Sequence, residues 1–263
     1  MKDFKLMILN RLKIGYLLEL IILILSLDLF AAEKKVINVG YFVVPTFIYE
    51  NDKKEIVGPV YQFIKRIEKI SNYQFVFEKF PLTRLLHEVE TGYVQMMAMA
   101  AKQSENESLI TNETPFFKDK SYLIARKDFK YNKITSVKQL ENYVIGIKQD
   151  GAINSFLLAN KDKIKFETSA SSDSINLALS KLLGNRVDLI HSYSSHIYLY
   201  LARKNKQIDK IKPVELPGDL VEVYFGFSKK LAKKDRDNLN KLINYLLLEK
   251  KVNLTEQIKN WED

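Results

Sequence analysis

Residues 81–117 read PLTRLLHEVETGYVQMMAMAAKQSENESLITNETPFF, and the change of period inside this stretch decides the fold. Leu82, Leu85, Leu86 and Val89 recur at helical spacing, and Gly92 follows where a glycine ends a helix, because a residue without Cβ adopts the left-handed cap freely. After Tyr93, residues 94–100, VQMMAMA, are an apolar strand candidate, so a helix feeds directly into a buried strand. Met96, Met97 and Met99 read as core packing along it. The strand ends in the small residues Ala98, Ala100 and Ala101, before a polar run and a Pro115, Phe116, Phe117 turn. In open α/β sheets ligands sit beyond the carboxyl ends of strands, so Ala98, Ala100 and Ala101 stand where a backbone approaches a ligand.

Working outward, residues 36–42 (VINVGYF) form a strand that Pro45 ends, and Phe47 to Tyr49 and Glu55 to Val57 flank a polar turn as a hairpin. Gly58 and Pro59 open a helix with Val60, Phe63, Ile64, Ile67 and Ile70 on its apolar face, and residues 73–80 alternate as a second strand. Downstream, SYLIAR (121–126) is a strand, and then the pattern restarts. It runs through a short helix at 136–140, a strand at 143–147, a helix opened by Gly151, a strand at 165–168, a helix at 173–183 and a buried strand at 187–190. VEVYFGFS (221–228) returns as a strand, followed by an amphipathic helix over 229–248 and a terminal Trp261. Strands alternating with helices predict an α/β chain of two units, each a mixed, mostly parallel sheet flanked by helices. The expected division is residues 33–125 for the first part of lobe 1, 126–220 for lobe 2, and 221–263 for a return strand and C-terminal helices packing on lobe 1. No internal sequence repeat and no low-complexity linker separates the halves, which points to strands shared at a hinge.

With 263 residues, 46% hydrophobic and 11% aromatic, the chain has material for two cores and is not disordered. The absence of cysteine excludes disulfides and thiolate chemistry. The net charge is +9, carried by 34 Lys against 7 Arg interspersed with acids. That pattern reads as a solvated surface with a weak pull on anions, not as the Arg-rich groove of a nucleic-acid reader. Three histidines, with His191 and His196 five apart, make no helix-face metal pair, and no P-loop, G-x-S-x-G or G-x-G-x-x-G occurs, so neither a metal nor a cofactor is expected. At the N-terminus Lys2, Lys5, Arg11 and Lys13 precede the apolar residues 20–27, and Ala31 and Ala32 precede Glu33. This order predicts a signal peptide over residues 1–32 and export to the periplasm. Glu19 and Asp28 flank the apolar run, and the residue three before the cut is large, so an uncleaved anchor in the inner membrane is the alternative.

Taken together, the ordered pieces INVGYFVVPTF (37–47), Gly58, HEVETGYVQ (87–95), Gln103 to Asn106, Pro115 and Phe116, Gly151 and Ala152, Asn185 to Asp188 and the 221–228 strand resemble the family 3 extracellular solute-binding proteins, the two-lobed receptors of amino-acid-type ABC importers. The resemblance covers nearly all of residues 36–261. It implies a two-lobed, periplasmic-binding-protein-like (type II) fold, a ligand held between the lobes and an ABC permease partner; with the charge pattern and the missing motifs, the expectation is a monomeric binding protein with no nucleic-acid partner and no enzymatic role. It also exposes departures. Asn106 stands where family members carry the arginine that clamps a ligand carboxylate, and Tyr193 stands at about the place of the aspartate that holds an ammonium. A standard amino acid would bury both charges unpaired, so the expected ligand is a different small molecule, polar and of aromatic or anionic character. The candidate walls include Tyr41, Phe47, Phe116 and Tyr193 with Phe42, Phe117, Tyr122 and Tyr224. The candidate polar groups include Gln103 and Ser192 with Thr46, Ser155 and His191. Gly151 and Ala152 are expected at a helix N-terminus whose free N–H groups face the cleft. Arg84 either faces the cleft or caps the lobe surface. Two rival readings are a dehydratase on the same scaffold, since some relatives act on cyclic carboxylic acids, and a membrane-tethered sensory module.

Overall fold

The computed structural model describes residues 34–101, 109–149, 151, 153–169, 174–218 and 220–262. The expected signal peptide, Gln103, Asn106 and Ala152 lie outside the described residues.

β1 (Lys35–Tyr41) sends Ile37, Val39 and Tyr41 into the core by strict alternation. A hairpin of β2 (Tyr49–Glu50) and β3 (Ile56–Val57) follows the Pro45 loop, where Thr46 takes φ 69°. Gly58, at φ 115°, turns the chain into α1 (Pro59–Lys69), whose first-turn proline costs nothing because that position has no helical acceptor. Val60, Phe63, Ile64 and Ile67 are buried, whereas Ile70 is 48% exposed because it sits past the last turn as the cap. β4 (Tyr73–Lys79) pairs in parallel with β1. α2 (Leu82–Thr91) ends on Gly92 at φ 81°, and β5 (Met96–Ala101) pairs with the other edge of β1. Two short strands, β6 (Leu109–Thr111) and β7 (Phe117–Asp119), lead to the crossing into the second lobe.

The second sheet contains β8 (Tyr122–Arg126), β9 (Val144–Lys148), β10 (Lys165–Ser169), β11 (Leu189–Ser192) and β12 (Ile211–Glu215), in the order β10-β9-β11-β8-β12. Its helices are α3 (Ser155–Ala159), α4 (Ser174–Leu183) and α5 (Ser195–Lys204). The chain then returns as β13 (Val221–Ser228), antiparallel to β5, which completes the first sheet as β4-β1-β5-β13-β6 with β7 also on β13. α6 (Lys233–Asn244) runs into a π-helical turn over Tyr245–Glu249, and α7 (Leu254–Lys259) follows. The two sheets share one plan: second strand, first, third, then a strand arriving antiparallel from the other lobe, then one more. The chain is therefore a two-lobed α/β protein with parallel strands at the heart of each sheet.

Several expectations are corrected. β8 hydrogen-bonds within the second sheet, so a boundary between residues 125 and 126 cuts a strand. The helix expected to open at Gly151 begins at Ser155, because the Asn154 side chain accepts from the N–H groups of Phe156 and Leu157 and caps it there. The helix expected over 229–248 starts at Lys233 and loses α-helical pairing at Tyr245. α5 and β12 have no counterpart in the sequence reading: α5 buries residues nearly all round, and β12 carries Pro213, which its edge position tolerates.

One apolar cluster runs through both lobes, joining Ile37, Phe63 and Phe225 to Leu179, Ile190 and Tyr198. The lobes are thus closed on one another. No helix among the described residues is long and apolar enough to cross a membrane.

Candidate functional site

The parallel strands of both sheets end at the boundary between the lobes, and the residues just past those ends form the site. Phe42 and Val44 follow β1, Ala100 and Ala101 end β5, Lys148 ends β9 and Tyr193 follows β11. They enclose two adjacent cavities that share Phe42, Val44, Tyr193 and Ile197 as walls. The larger, about 280 Å³, is lined from the first lobe by Phe47, Leu82, Leu86, Met97, Met99, Ala100 and Leu109, with residues 221–223 of β13, and from the second by Gly151, Tyr193 and Ile197. The smaller, about 60 Å³, reaches into the second lobe past Lys148, Glu167, Ser169, Lys181, His191 and Ser192.

Local folding explains these placements. α2 carries two apolar stripes: Leu85 and Val89 are fully buried in the lobe, while Leu82 and Leu86, one turn apart, are half-buried and face the cavity. Alternation along β1 does the same for aromatics. Tyr41 points into the lobe, where its hydroxyl donates to Glu50 at 3.3 Å and its pKa is raised by burial and by that carboxylate. Phe42, one residue on, faces the cleft. Phe47 packs edge-to-face on Phe117 at 4.7 Å and is fixed there with one face to the cavity.

The charged groups differ in how they are held. Glu222 is bound by Lys118 at 2.8 Å and by the Tyr224 hydroxyl at 2.5 Å. Glu167 pairs with Lys181 at 2.5 Å, and Lys181 also donates to Ser169 at 3.2 Å. Lys148 Nζ instead lies 4.0 Å from the centroid of the Phe42 ring, and burial pushes its pKa down to about 8. His191 Nε2 is 2.8 Å from Ser121 Oγ, its ring meets Tyr193 edge-on at 5.6 Å, and burial pushes its pKa down to about 4. It is neutral near pH 7.

Of the residues singled out by sequence, Phe47, Ala100, Gly151 and Tyr193 line the larger cavity and Ser192 the smaller. The Ser192 hydroxyl donates to the Ser194 carbonyl at 2.6 Å. Tyr41 and Phe116 do not reach the cleft; Phe116 packs on Phe225 at 4.5 Å in the core. Arg84 is on the outer surface, paired with Glu88 at 3.3 Å and 5.8 Å from the Phe80 ring. Gly151 lies in the loop before α3, not at a helix N-terminus. Lys148 was absent from the sequence-based set. Its signal is there in hindsight: VIGIK is an apolar strand whose last residue is charged, and a charge at the carboxyl end of a buried strand has the cleft as its outlet.

No protein-family model and no curated protein matches the chain by sequence. Structure comparison places it in a class, the two-lobed binding-protein fold also called a Venus flytrap. An ancestral arginine-binding protein bound to arginine aligns at TM-score 0.71 and 16% identity, over 86% of this chain and 97% of that one. The periplasmic VFT2 domain of BvgS from Bordetella pertussis aligns at 0.70 and 14%, over 89% and 97%. The substrate binding protein of an amino acid ABC transporter aligns at 0.69 and 16%, over 86% and 98%. Likeness at this identity establishes architecture and leaves the ligand to this chain's own side chains.

Proposed function

We propose that this chain is an exported binding module that captures a small molecule between its lobes, by binding and without turnover. The carrying observation is the cavity of about 280 Å³ walled by residues of both lobes. A ligand touching both walls favours the shut arrangement by its differential affinity, which is how such a protein reports occupancy. The proposed ligand is not a standard amino acid: among the described wall residues, the carboxylates Glu167 and Glu222 are already engaged by lysines, leaving neither for an ammonium group. Delivery to an ABC permease is the role carried over from the transporter-type relatives, and the likeness to the BvgS domain supports a sensory role as the second reading.

Native mass spectrometry of the full-length protein, followed by a thermal-shift panel, tests the reading. A co-purifying molecule at one per chain, retained without conversion and lost in Tyr193→Ala, is the expected result. A chain that carries nothing and responds to no compound overturns it. Sequencing the N-terminus of the mature protein separates a released receptor, starting near residue 33, from a tethered module starting at Met1.

A further inference from the structure

We propose that the solute is a small amphipathic monoanion whose apolar body fills the larger cavity and whose anionic group sits on Lys148 Nζ. This deepens the reading of the cleft as a ligand site and rests on it.

The argument is one of charge. The described residues lining the two cavities include four charged side chains, Lys148, Glu167, Lys181 and Glu222. Glu167 and Lys181 neutralise each other, and Glu222 is matched by Lys118. Lys148 has no carboxylate partner among the described residues. It rests on the face of Phe42, whose quadrupole attracts an ammonium but carries no net charge. His191 and Tyr198, which share the smaller cavity, are both shifted by burial toward their neutral forms, His191 downward and Tyr198 upward. Among the described residues, one positive charge in the cleft is left without a counter-charge.

Closure makes this matter. Phe42 comes from the first lobe and Lys148 from the second, so their contact exists only when the lobes are shut. Shutting takes the ammonium out of water, and an aromatic face offsets that loss only in part; an anion bound at the same place offsets it far better. An anionic solute therefore gains affinity for the shut state specifically, which a neutral analogue does not. The larger cavity supplies the second half of the recognition, with Leu82, Leu86, Met97 and Met99 as walls. Its volume of about 280 Å³ sits at the low end for small-molecule sites, so the body that fills it is a small one. A single lysine matches one negative charge, so the class is the aryl or branched alkyl carboxylates and sulfonates, not the phosphates.

Calorimetry at pH 7 on the full-length protein, with the matched pairs phenylacetate and phenylacetamide, indole-3-acetate and its amide, 4-methylpentanoate and its amide, and phenylmethanesulfonate, tests the proposal. The acids are expected to bind about tenfold to a hundredfold more tightly than the amides, the range a charge-assisted hydrogen bond supplies. Lys148→Met is expected to erase that preference and Lys148→Arg to keep it, with melting temperatures confirming that both variants fold. In the wild type the affinity for acids falls as pH rises above about 8, where Lys148 of the shut, unliganded protein loses its proton, and in Lys148→Met it does not. Equal binding of acids and amides overturns the proposal and leaves the cleft reading standing. A preference that survives in Lys148→Met also overturns it, since the anion then sits elsewhere. Binding of neither kind of compound, in a protein that co-purifies with nothing, overturns the cleft reading itself.

Discussion

At Gly58 the backbone turns at φ 115°, and a Cβ there would lie 2.3 Å from the Phe47 carbonyl oxygen. The contact is with backbone, which cannot rotate away, and Phe47 is a wall of the larger cavity. Gly58→Ala is therefore expected to lower the unfolding free energy by about 2–4 kcal/mol, combining strain at a positive φ with a steric clash. Urea titration checks this, through a lower midpoint at unchanged slope. His191 gives a pH dependence of definite sign. Its folded pKa, about 4, lies below the unfolded value of about 6.5, so between those limits the unfolded chain binds the extra proton. Its stabilising contribution is whole above pH 6.5 and is lost as pH falls toward 4, by on the order of 1–2 kcal/mol for a half-buried ring. Unfolding free energies measured from pH 7 to 4 should show this slope in the wild type and a shallower one in His191→Asn. At this scale the sequence reveals which residue types are available near strand ends, but not which face they take. Tyr41 and Phe42 are adjacent aromatics, and only the register of β1 against β4 and β5 sends the first into the lobe and the second into the cleft.

Among the elements, α3 shows where a short helix draws its stability. With five residues it is too short to persist by propensity, and Asn154 holds it by accepting from two N–H groups while its Nδ2 donates to the Pro217 carbonyl at 3.2 Å. That last bond ties the helix to the stretch where β12 crosses back to β13. Asn154→Ala is expected to cost about 1–2 kcal/mol. Hydrogen exchange should localise the loosening to α3 and the crossing, leaving α1 protected. Elements with a clean period were legible in sequence: α1, α2, β1, β5, β9 and β13 stand close to where apolar spacing and glycine or proline boundaries put them. α5 was not, because Ile197, Tyr198, Tyr200, Leu201 and Ala202 bury it on most sides and no polar face remains to set the period. β6 and β7 were not, because three-residue strands are defined by their partner β13 and not by their own composition.

For the whole molecule, the balance between open and shut lobes is the quantity that the proposed function rests on. Beyond the shared apolar cluster, the Tyr49 hydroxyl from the first-lobe hairpin lies 3.2 Å from the Tyr200 hydroxyl of α5, and Trp261 Nε1 donates to Tyr49 at 2.9 Å. This buried bridge crosses the lobes on the side of the C-terminal segment. Tyr200→Phe removes one hydroxyl from it, worth about 0.5–1.5 kcal/mol of the shut state. The expected results are a larger radius of gyration for the ligand-free variant in X-ray scattering and a two- to tenfold weaker apparent affinity, about the factor by which the competent population falls. An unchanged radius and affinity would show that the bridge does not bear on closure.

The sequence by itself determined that the chain is α/β, that it is built as two units in series, and that one buried strand ends in small residues before an aromatic turn. Those properties follow from period and punctuation, which are local and survive without knowledge of partners. Only the tertiary structure decided what the cleft contains. Whether Lys148 meets a carboxylate or an aromatic face, whether Arg84 points in or out, and whether Glu222 is spent on Lys118 depend on side chains from strands and helices far apart in the chain. No local pattern encodes those meetings, because they are fixed by how two separately folded sheets close on each other.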